Sequence, residues 1–246
     1  MNEIRLYKNY IYCFFSRNRK NKFSSLNCAY NRGDSVATVK KNRNFTSNYL
    51  NKNKIILTNQ VHSNIVSYVD KNFSKEVNSD AMITNRKDIL LGILTADCAP
   101  IIVLGKKYFG IIHAGWKGLI NGIIENTIDK MIEIGSLRKN IHAIIGPTIQ
   151  QHSYEIGNDL AIKIKCTTEY KSNNNILVEK SKKYFFNLPL FIKHKLNLNE
   201  INNISDVEID TYLNKNFFSY RRTTQNRKSD SLKKATGRQV SVIGLK

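Results

Sequence analysis

Short apolar runs alternate with polar, turn-forming segments along most of this chain. Runs rich in isoleucine, valine and aromatic side chains, bounded by Asn, Asp, Gly or Ser, are typical of buried strands. On this pattern we predict strands over residues 55–61, 81–84, 90–94, 101–104, 108–113, 141–145, 207–212 and 240–245.

Two segments have a helical period instead. Apolar side chains recur at helical spacing between Ile120 and Met131, and Gly135 follows where a C-terminal cap belongs. A second helix is predicted over residues 187–196, with Asn187 as its N-cap. The basic stretch 221–234 is predicted to be a loop. No internal repeat or long linker is visible, so we expect residues 1–246 to form one domain.

The composition adds a strong positive charge without identifying a partner. The formal net charge is +20, which ordinarily suggests nucleic acid or an anionic membrane. Lys and Asn are spread along the whole length beside abundant isoleucine, and A/T-only codons encode all three residues. Genome composition therefore explains the charge as well as a nucleic-acid surface does.

Cysteine usage and hydropathy indicate the compartment. The four cysteines form no CxxC pair, which favours a reducing environment. The longest apolar run, residues 89–104, contains Asp97 and Pro100 and is shorter than a membrane-spanning helix needs. The apolar run that follows Lys8 is too short for the core of a signal peptide. We expect a cytoplasmic protein with no membrane contact.

Three candidate metal ligands lie next to apolar runs. His62, Cys98 and His113 offer two imidazoles and one thiol, which is the ligand count of a catalytic zinc site with an open fourth position. Each has an ordinary structural explanation by itself, as a core thiol or as a surface or satisfied core histidine. Their combination favours a metal centre that joins distant strands, and hence an enzyme.

Polar neighbours of these ligands are candidates for substrate binding and proton transfer. Gly115, Lys117 and Gly118 follow His113 and open a helix, an arrangement suited to phosphate; a tight turn with Trp116 as a core anchor explains the same residues equally well. Asp97, beside Cys98, either moves a proton or caps a turn.

Paired arginines, Arg221 and Arg222, follow an aromatic segment. In an extended segment adjacent side chains point in opposite directions, so we expect one of the two to reach a pocket. Arg238 is a weaker candidate of the same kind.

Several motifs, taken in order, resemble the signature series of the YfiH/laccase-domain family. Residues 25–28 (SLNC), 33–34 (GD) and 42–43 (NR) resemble its N-terminal part, so the likeness covers nearly the whole chain. The central and C-terminal segments that carry it are 60–62 (QVH), 95–98 (TADC), 113–118 (HAGWKG), 145–147 (IGP), 154–157 (YEIG), 217–222 (FFSYRR) and 236–238 (TGR).

The resemblance implies an α+β fold with mixed sheets flanked by helices, like that of the cytotoxic necrotizing factor catalytic domain. It implies a zinc ion held by His62, Cys98 and His113. Phosphate or substrate contacts are expected from the following residues: Lys117, Arg221, Arg222, Asn27 and Arg43.

Proteins of this family carry several functional names: polyphenol oxidase or multicopper oxidoreductase, peptidoglycan editing factor, and purine nucleoside phosphorylase with adenosine deaminase activity. Copper fits less well than zinc, because a multicopper centre uses many more imidazoles than the five histidines present. Lys117 stands where the family usually has arginine, which keeps the charge but loses the bidentate fork, so weaker phosphate binding is expected.

Three hypotheses follow. The first is zinc-dependent phosphorolysis of purine nucleosides (adenosine, inosine and methylthioadenosine), with hydrolytic deamination of adenosine at the same site and Asp97 or Glu155 moving the proton. The second is a hydrolase that edits peptidoglycan precursors, with Cys98 as a thiolate nucleophile paired with His62 or His113. The third, ranked last because no nucleic-acid motif accompanies the charge, is a basic nucleic-acid-binding protein. A monomer and a homodimer are both compatible with the sequence.

Overall fold

Short strands and short helices alternate along the part of the chain that the structure describes, a computed structural model covering residues 3–17, 26–73, 77–225 and 236–246. The helices within these residues are α1 (Val36–Tyr49), α2 (Trp116–Ile120), α3 (Ile123–Glu133), α4 (Asn158–Lys165), α5 (Thr168–Ser172), α6 (Leu188–Leu198) and α7 (Tyr220–Gln225). The strands are β1 (Arg5–Tyr7), β2 (Tyr10–Phe14), β3 (Ile55–Ile56), β4 (Val66–Tyr68), β5 (Ala81–Thr84), β6 (Leu90–Thr95), β7 (Ala99–Leu104), β8 (Phe109–Ala114), β9 (His142–Ile145), β10 (Glu155–Ile156), β11 (Leu177–Lys180), β12 (Lys183–Phe186), β13 (Asn203–Asp206) and β14 (Gln239–Leu245).

The strands form two large mixed sheets and one small one. The five-stranded sheet has the order β1-β2-β14-β6-β3, and the six-stranded sheet has the order β13-β9-β7-β8-β5-β4. In each large sheet antiparallel pairs dominate, and parallel pairs occur at the edges, such as β3 with β6 and β4 with β5. The third sheet, β10-β12-β11, is antiparallel. The expected α+β fold with mixed sheets is confirmed; the expectation of one domain over residues 1–246 stays a prediction.

The two large sheets pack face to face and are covered on their outer faces. Side chains such as Leu91 and Ile93 of β6 meet Ile102 and Ile111 of the six-stranded sheet in a buried layer. On its other face the six-stranded sheet packs against α3 and α6, and the five-stranded sheet packs near Leu50, the residue that ends α1. Because both faces of β7 and β8 are covered, all their residues are buried, which accounts for their continuous apolar runs.

Six of the eight predicted strands are present within two residues of their expected bounds. The helix predicted after His113 is two helices, because Gly122 adopts a left-handed conformation (φ +89°) that ends the run of α2. Its C-terminal cap is confirmed. Gly135 has φ +99°, and the Ser136 amide donates to the Met131 carbonyl at 2.8 Å.

The second predicted helix is confirmed as α6. The side chain of Asn187 accepts a hydrogen bond from the Leu190 amide at 3.0 Å, as its position before the helix predicts. The helix begins at Leu188 and ends at Leu198.

Two strand predictions are wrong in part or in whole. Residues 55–61 form a strand only at Ile55–Ile56. The predicted strand 207–212 is not formed, and β13 lies just before it. There the carboxylates of Asp206 and Asp210 accept hydrogen bonds from backbone amides two residues on, and such turns compete with a strand ladder.

The loop predicted over residues 221–234 is also corrected. Its first residues belong to α7, and residues 226–234 lie outside the described parts of the chain. Helix α1 was not predicted, because its buried side chains are mainly small and polar and its sequence lacks an apolar stripe. Within the described ranges, no helix has both the length and the apolar character to cross a membrane.

Candidate metal centre and substrate cavity

Residues 96–98 carry the chain from one large sheet to the other. They connect β6 of the five-stranded sheet to β7 of the six-stranded sheet, and Asp97 adopts a left-handed backbone (φ 91°) within this junction. Its carboxylate accepts hydrogen bonds from the Thr211 hydroxyl (2.7 Å), the Ser219 hydroxyl (3.0 Å) and the Arg221 amide (2.7 Å). These contacts outweigh the strain of the left-handed conformation and hold the next residue, Cys98, at the end of the sheets.

A second carboxylate, Asp80, shapes the loop that carries His62. Asp80 is fully buried and accepts hydrogen bonds from three consecutive backbone amides, those of residues 61 to 63. Gathering three amides around one carboxylate turns the chain sharply, and His62 takes a left-handed φ of 60°. The sequence suggested that His62 follows the end of a strand. In the structure His62 lies in a turn instead.

His113 near the end of β8 completes the group. Its Nδ1 lies 2.8 Å from Asp80 Oδ1, so the carboxylate orients the imidazole and leaves Nε2 for another ligand. Cys98 Sγ lies 3.9 Å from His62 Nε2, and one potential ligand atom from each of His62, Cys98 and His113 lies within 4.8 Å of the others. The structure thus brings together three residues from separate segments, with His62 exposed and His113 buried.

Gly115 lies against these side chains. A Cβ atom at this position would come within 3.0 Å of His62 Cδ2 and 3.1 Å of Cys98 Sγ. A methyl group here would require the imidazole or the thiol to shift by a few tenths of an ångström, so glycine favours the close approach.

Charge pairing changes the protonation of the cluster. Burial by itself would raise the pKa of the Cys98 thiol, but His113 and His62 reverse this and lower it. Burial would likewise lower the pKa of His113, but the Cys98 thiolate and Asp80 raise it. Desolvation opposes ionisation of Asp80, yet hydrogen bonds from His113 and Ser63 lower its pKa to about 2. The cluster therefore favours a thiolate, the form in which cysteine binds metals.

The three residues open into a cavity of about 1330 Å³. Seven Lys and Arg side chains and one carboxylate, Asp97, are among the described residues that line it. Three of the expected phosphate-binding residues, Lys117, Arg43 and Arg221, line this cavity, as does Arg238. The helix whose start was predicted to bind phosphate is α2, which has only five residues. Its dipole therefore contributes little, and the positive charge of the cavity comes chiefly from side chains.

Other expected site residues have structural roles. Asn27 is fully buried; its side chain bonds to Asp34 and Ala29 and accepts from the Arg238 amide, and it does not line the cavity. Arg222 donates to the carbonyls of Thr211, Tyr212 and Phe217. The Asn27 side chain bonds to protein donors and acceptors and the Arg222 guanidinium to protein carbonyls, and substrate contact by these two residues stays a prediction.

The two candidates for proton transfer differ in position. Glu155 forms an ion pair with Lys183 at 3.0 Å and is not among the residues that line the cavity. Asp97 lines the cavity, and burial raises the pKa of its carboxyl while its three hydrogen bonds act in the opposite direction. Since both its oxygens already accept hydrogen bonds, Asp97 is better placed to position Cys98 and Arg221 than to exchange protons with a ligand.

Sequence reasoning missed Asp80 and the aromatic wall of the cavity. Asp80 follows Asn78 and Ser79 directly before the apolar strand β5, the same polar interruption that drew attention to Asp97. Tyr154 lines the cavity beside the ligand cluster, with the Arg221 guanidinium 5.5 Å from its ring. Tyr154 belongs to the motif 154–157 that carries the family resemblance, but the motif by itself gave the tyrosine no role.

Comparison with known proteins finds similar sequences and a similar fold over most of the chain. A family model described as multi-copper polyphenol oxidoreductase laccase matches residues 12–246. A purine nucleoside phosphorylase of Rickettsia prowazekii is 34% identical over 221 residues, which cover 86% of this chain and 88% of that protein. A purine nucleoside phosphorylase of Aquifex aeolicus is 35% identical over 71% of this chain and 79% of that protein. Among solved structures, the hypothetical protein YfiH of Bacillus licheniformis matches with a TM-score of 0.86 and 25% identity, covering 99% of both chains.

Proposed function

This chain belongs to the multi-copper polyphenol oxidoreductase laccase family, and from that membership and the geometry of its cavity we propose that it is a zinc-dependent purine nucleoside phosphorylase. The observation that supports this best is a single cavity that joins a cluster of two imidazoles and one thiol to several phosphate-compatible cations. Adenosine and inosine are the proposed substrates, with methylthioadenosine as a third.

The donor set fits one zinc ion better than a copper cluster. Two imidazole nitrogens and one thiolate match a zinc site that keeps a position open, and Asp80 supplies the carboxylate that such a histidine usually bonds. A multicopper centre needs more histidines than this cluster holds. A zinc ion held by His62, Cys98 and His113 would supply a Lewis acid at the wall of the cavity.

Side chains of the chain itself would bind and orient the reactants. Lys117 and Arg221 line the same cavity as the three ligands and carry charges that attract phosphate. The rings of Trp116 and Tyr154 in its lining offer flat apolar surfaces for a purine. In phosphorolysis a phosphate oxygen bonds to C1′ of the ribose while the bond from C1′ to the base breaks. The base leaves with the bonding electrons and takes up the proton that the hydrogen phosphate loses, and ribose 1-phosphate remains.

Hydrolytic deamination of adenosine is the proposed second activity of the same site. A purine stacked on Trp116 or Tyr154 can present its C6 edge to the metal centre, where a water molecule would displace ammonia. Asp97 is proposed to act here as a positioning residue, through the amide of Arg221 and the peptide of Cys98. The cytoplasmic location and the choice between monomer and homodimer stay predictions.

Product analysis tests the proposal directly. Purified protein is incubated with adenosine or inosine, with and without phosphate, while free base and ammonia are measured. Release of base that depends on phosphate supports phosphorolysis, and ammonia from adenosine supports deamination. Absence of both products would refute the proposal and favour the hydrolase described below.

Replacing Lys117 with alanine should raise the KM for phosphate about tenfold or more with a smaller change in the KM for the nucleoside. A hydrogen bond to a charged group contributes about 1.5–3 kcal/mol, and this variant loses one from the phosphate. Lys117→Arg should preserve or lower the KM, since a guanidinium can bind phosphate in a bidentate manner.

Lys163→Ala is the matched control for this change. Lys163 also lies near the Trp116 ring, at 5.8 Å against 5.5 Å for Lys117, but does not line the cavity. Equal effects of the two alanine variants on the phosphate KM would contradict a phosphate-binding role for Lys117.

A second candidate function rests on the contact between His113 and Asp80. Cys98 lies close to His113, and Asp80 contacts the far side of the His113 ring. These three residues could serve as the nucleophile, the base and the orienting carboxylate of a cysteine hydrolase. We propose this as the alternative, a hydrolase that acts on peptidoglycan precursors. Metal content separates the two proposals, because a thiolate bound to zinc is not free to attack a substrate.

Alkylation of Cys98 should report whether metal occupies the centre. In a Cys166→Ser variant, iodoacetamide should modify Cys98 rapidly after chelation and slowly with zinc bound. The exposed Cys166 is removed, and burial raises the pKa of Cys13 and Cys28 to about 12, so these two contribute little. Because the pKa of Cys98 is lowered, the rate of its alkylation should stay high as the pH falls from 8 to 7. Mass spectrometry of the peptides identifies which cysteine is alkylated and to what extent. Fast alkylation in the purified, untreated protein would favour the hydrolase.

A further inference from the structure

The cavity contains a second group of cations apart from Lys117 and Arg221. We call Arg32, Arg43 and Arg238 the arginine cluster. Arg32 lies before α1, Arg43 lies on α1, and Arg238 lies just before β14; all three line the cavity. None of these segments supplies a ligand of the metal centre, although Arg238 is close enough to Cys98 for their charges to interact.

Arg43 is held in one orientation. Its Nε donates to the Cys28 carbonyl at 2.8 Å, and its guanidinium lies 4.2 Å from the centroid of the Tyr30 ring. Burial lowers its pKa, which shows that the side chain is partly removed from water. The Nε contact leaves the two Nη groups, the fork that binds an anion in a bidentate manner, available to the cavity.

Arg238 is held in the same way. Its Nη1 donates to the carbonyls of Thr236 and Gly237, at 2.7 and 3.1 Å, and the buried side chain of Asn27 fixes its backbone amide. Burial lowers the pKa of Arg238 and the positive charge of Arg32 lowers it further, while the charges of Cys98 and Asp97 act in the opposite direction. Arg32 and Arg238 line the same cavity, so their like charges repel one another there.

Direct ion pairs do not offset the charge of the arginine cluster within the described ranges. None of the three arginines forms an ion pair with an acidic side chain there, and Asp97, the acidic residue of the cavity lining, is engaged by Thr211, Ser219 and Arg221. Seven cations against one carboxylate in the cavity lining leave an excess of positive charge, and an anion bound between the arginines would relieve the remaining repulsion.

The size of the cavity leaves room for such an anion. Its volume of about 1330 Å³ exceeds the roughly 300–1,000 Å³ of ordinary small-molecule sites. In the proposed phosphorolysis, the attacking phosphate is assigned to Lys117 and Arg221, which line the same cavity as the metal centre. The 5′ carbon is attached to C4′ on the face of the ribose ring opposite to the one that the phosphate attacks, so a group on it extends away from the attacking phosphate.

We propose that the arginine cluster binds a phosphate group carried by the substrate, so that the site takes purine nucleoside 5′-monophosphates as well as nucleosides. Phosphorolysis of the monophosphate rests on the proposed function, whereas binding of the monophosphate does not. The bonds that form and break are those of nucleoside phosphorolysis, and the sugar product becomes ribose 1,5-bisphosphate in place of ribose 1-phosphate. No further reactant is needed.

Isothermal titration calorimetry on the zinc-loaded protein tests the binding. Adenosine, adenosine 5′-monophosphate and inorganic phosphate are titrated separately into the unmodified protein, Arg32→Gln and Lys41→Gln. We expect the monophosphate to bind at least about tenfold more tightly than adenosine, because one charge-assisted hydrogen bond to the phosphate increases the affinity by about that factor. Arg32→Gln should remove most of that advantage. Lys41→Gln, which removes the same charge from an exposed position of α1 outside the cavity lining, should retain it.

Each outcome decides the inference. Equal affinities for adenosine and its monophosphate, or equal losses in the two variants, would overturn it. A loss of inorganic phosphate binding in Arg32→Gln without any preference for the monophosphate would also overturn it and assign the cluster to free phosphate. Circular dichroism checks that both variants fold.

The proposed function fails separately. Absence of base release from adenosine, with tight and Arg32-dependent binding of the monophosphate, would refute phosphorolysis of nucleosides and leave the binding inference intact. Base release from adenosine with no preference for the monophosphate would support phosphorolysis and refute the binding inference.

Discussion

Replacing Cys98 with alanine should abolish both release of base from purine nucleosides and release of ammonia from adenosine. The thiolate is one of three ligand atoms that lie within 4.8 Å of one another, and the two imidazoles that remain offer a weaker, incomplete donor set. Zinc measured by mass spectrometry should fall from about one ion per chain to a trace. Both activities should fall together to the rate without enzyme.

The matched control is Cys166→Ala, which removes an exposed thiol that does not line the cavity. Its zinc content and activity should equal those of the unmodified protein. Cys98→Ser, which keeps nearly the same volume, separates loss of the ligand from loss of packing and should also be inactive. Full activity in Cys98→Ala with an unchanged melting temperature would remove the metal-centre hypothesis.

Replacing Asp80 with asparagine should weaken zinc binding about 10- to 100-fold, the usual effect of losing the carboxylate that orients a metal-binding histidine. Asp80 accepts hydrogen bonds from the amides of residues 61 to 63, from the Ser63 hydroxyl and from His113. An asparagine side chain has one acceptor oxygen, and its NH₂ group would face a donor. Since the site is buried, the free energy of unfolding should fall by about 3 kcal/mol.

The pH dependence gives this prediction a second readout. Hydrogen bonds lower the pKa of Asp80 in the folded protein to about 2, below its value in the unfolded chain. Its stabilising contribution is therefore complete above about pH 4 and is lost as the pH falls toward 2. In Asp80→Asn that part of the acid sensitivity should disappear, as urea unfolding at pH 7 and pH 3 would show.

Asp88→Asn provides the comparison for Asp80. Asp88 is exposed and pairs with Arg86 at the surface, so its loss should change stability by less than about 1 kcal/mol and leave zinc binding unchanged. If Asp80→Asn resembles Asp88→Asn in both measurements, the carboxylate does not organise the metal centre.

Local pattern was sufficient for the central strands and for two helix boundaries. β5 to β9 and β14 are covered on both faces or nearly so, and such strands have continuous runs of isoleucine, valine and leucine. Asn187 and Gly135 act as caps through groups only a few residues away. The strand prediction failed over residues 207–212, where the side chains of Asp206 and Asp210 accept hydrogen bonds from backbone amides that would otherwise pair with a neighbouring strand.

The sequence by itself determined which chemical groups are present: the two imidazoles and the thiol at His62, Cys98 and His113, and their place in a series of family motifs. The tertiary structure decided which groups share a site. Asp97 holds the amide of Arg221 from 124 positions away, and the helix that begins there directs Arg221 to the cavity and Arg222 to protein carbonyls. Asp80 reaches His113 from the segment just before β5, the strand that pairs with β8. Such contacts depend on how the sheets pack, and no local spacing along the chain encodes them.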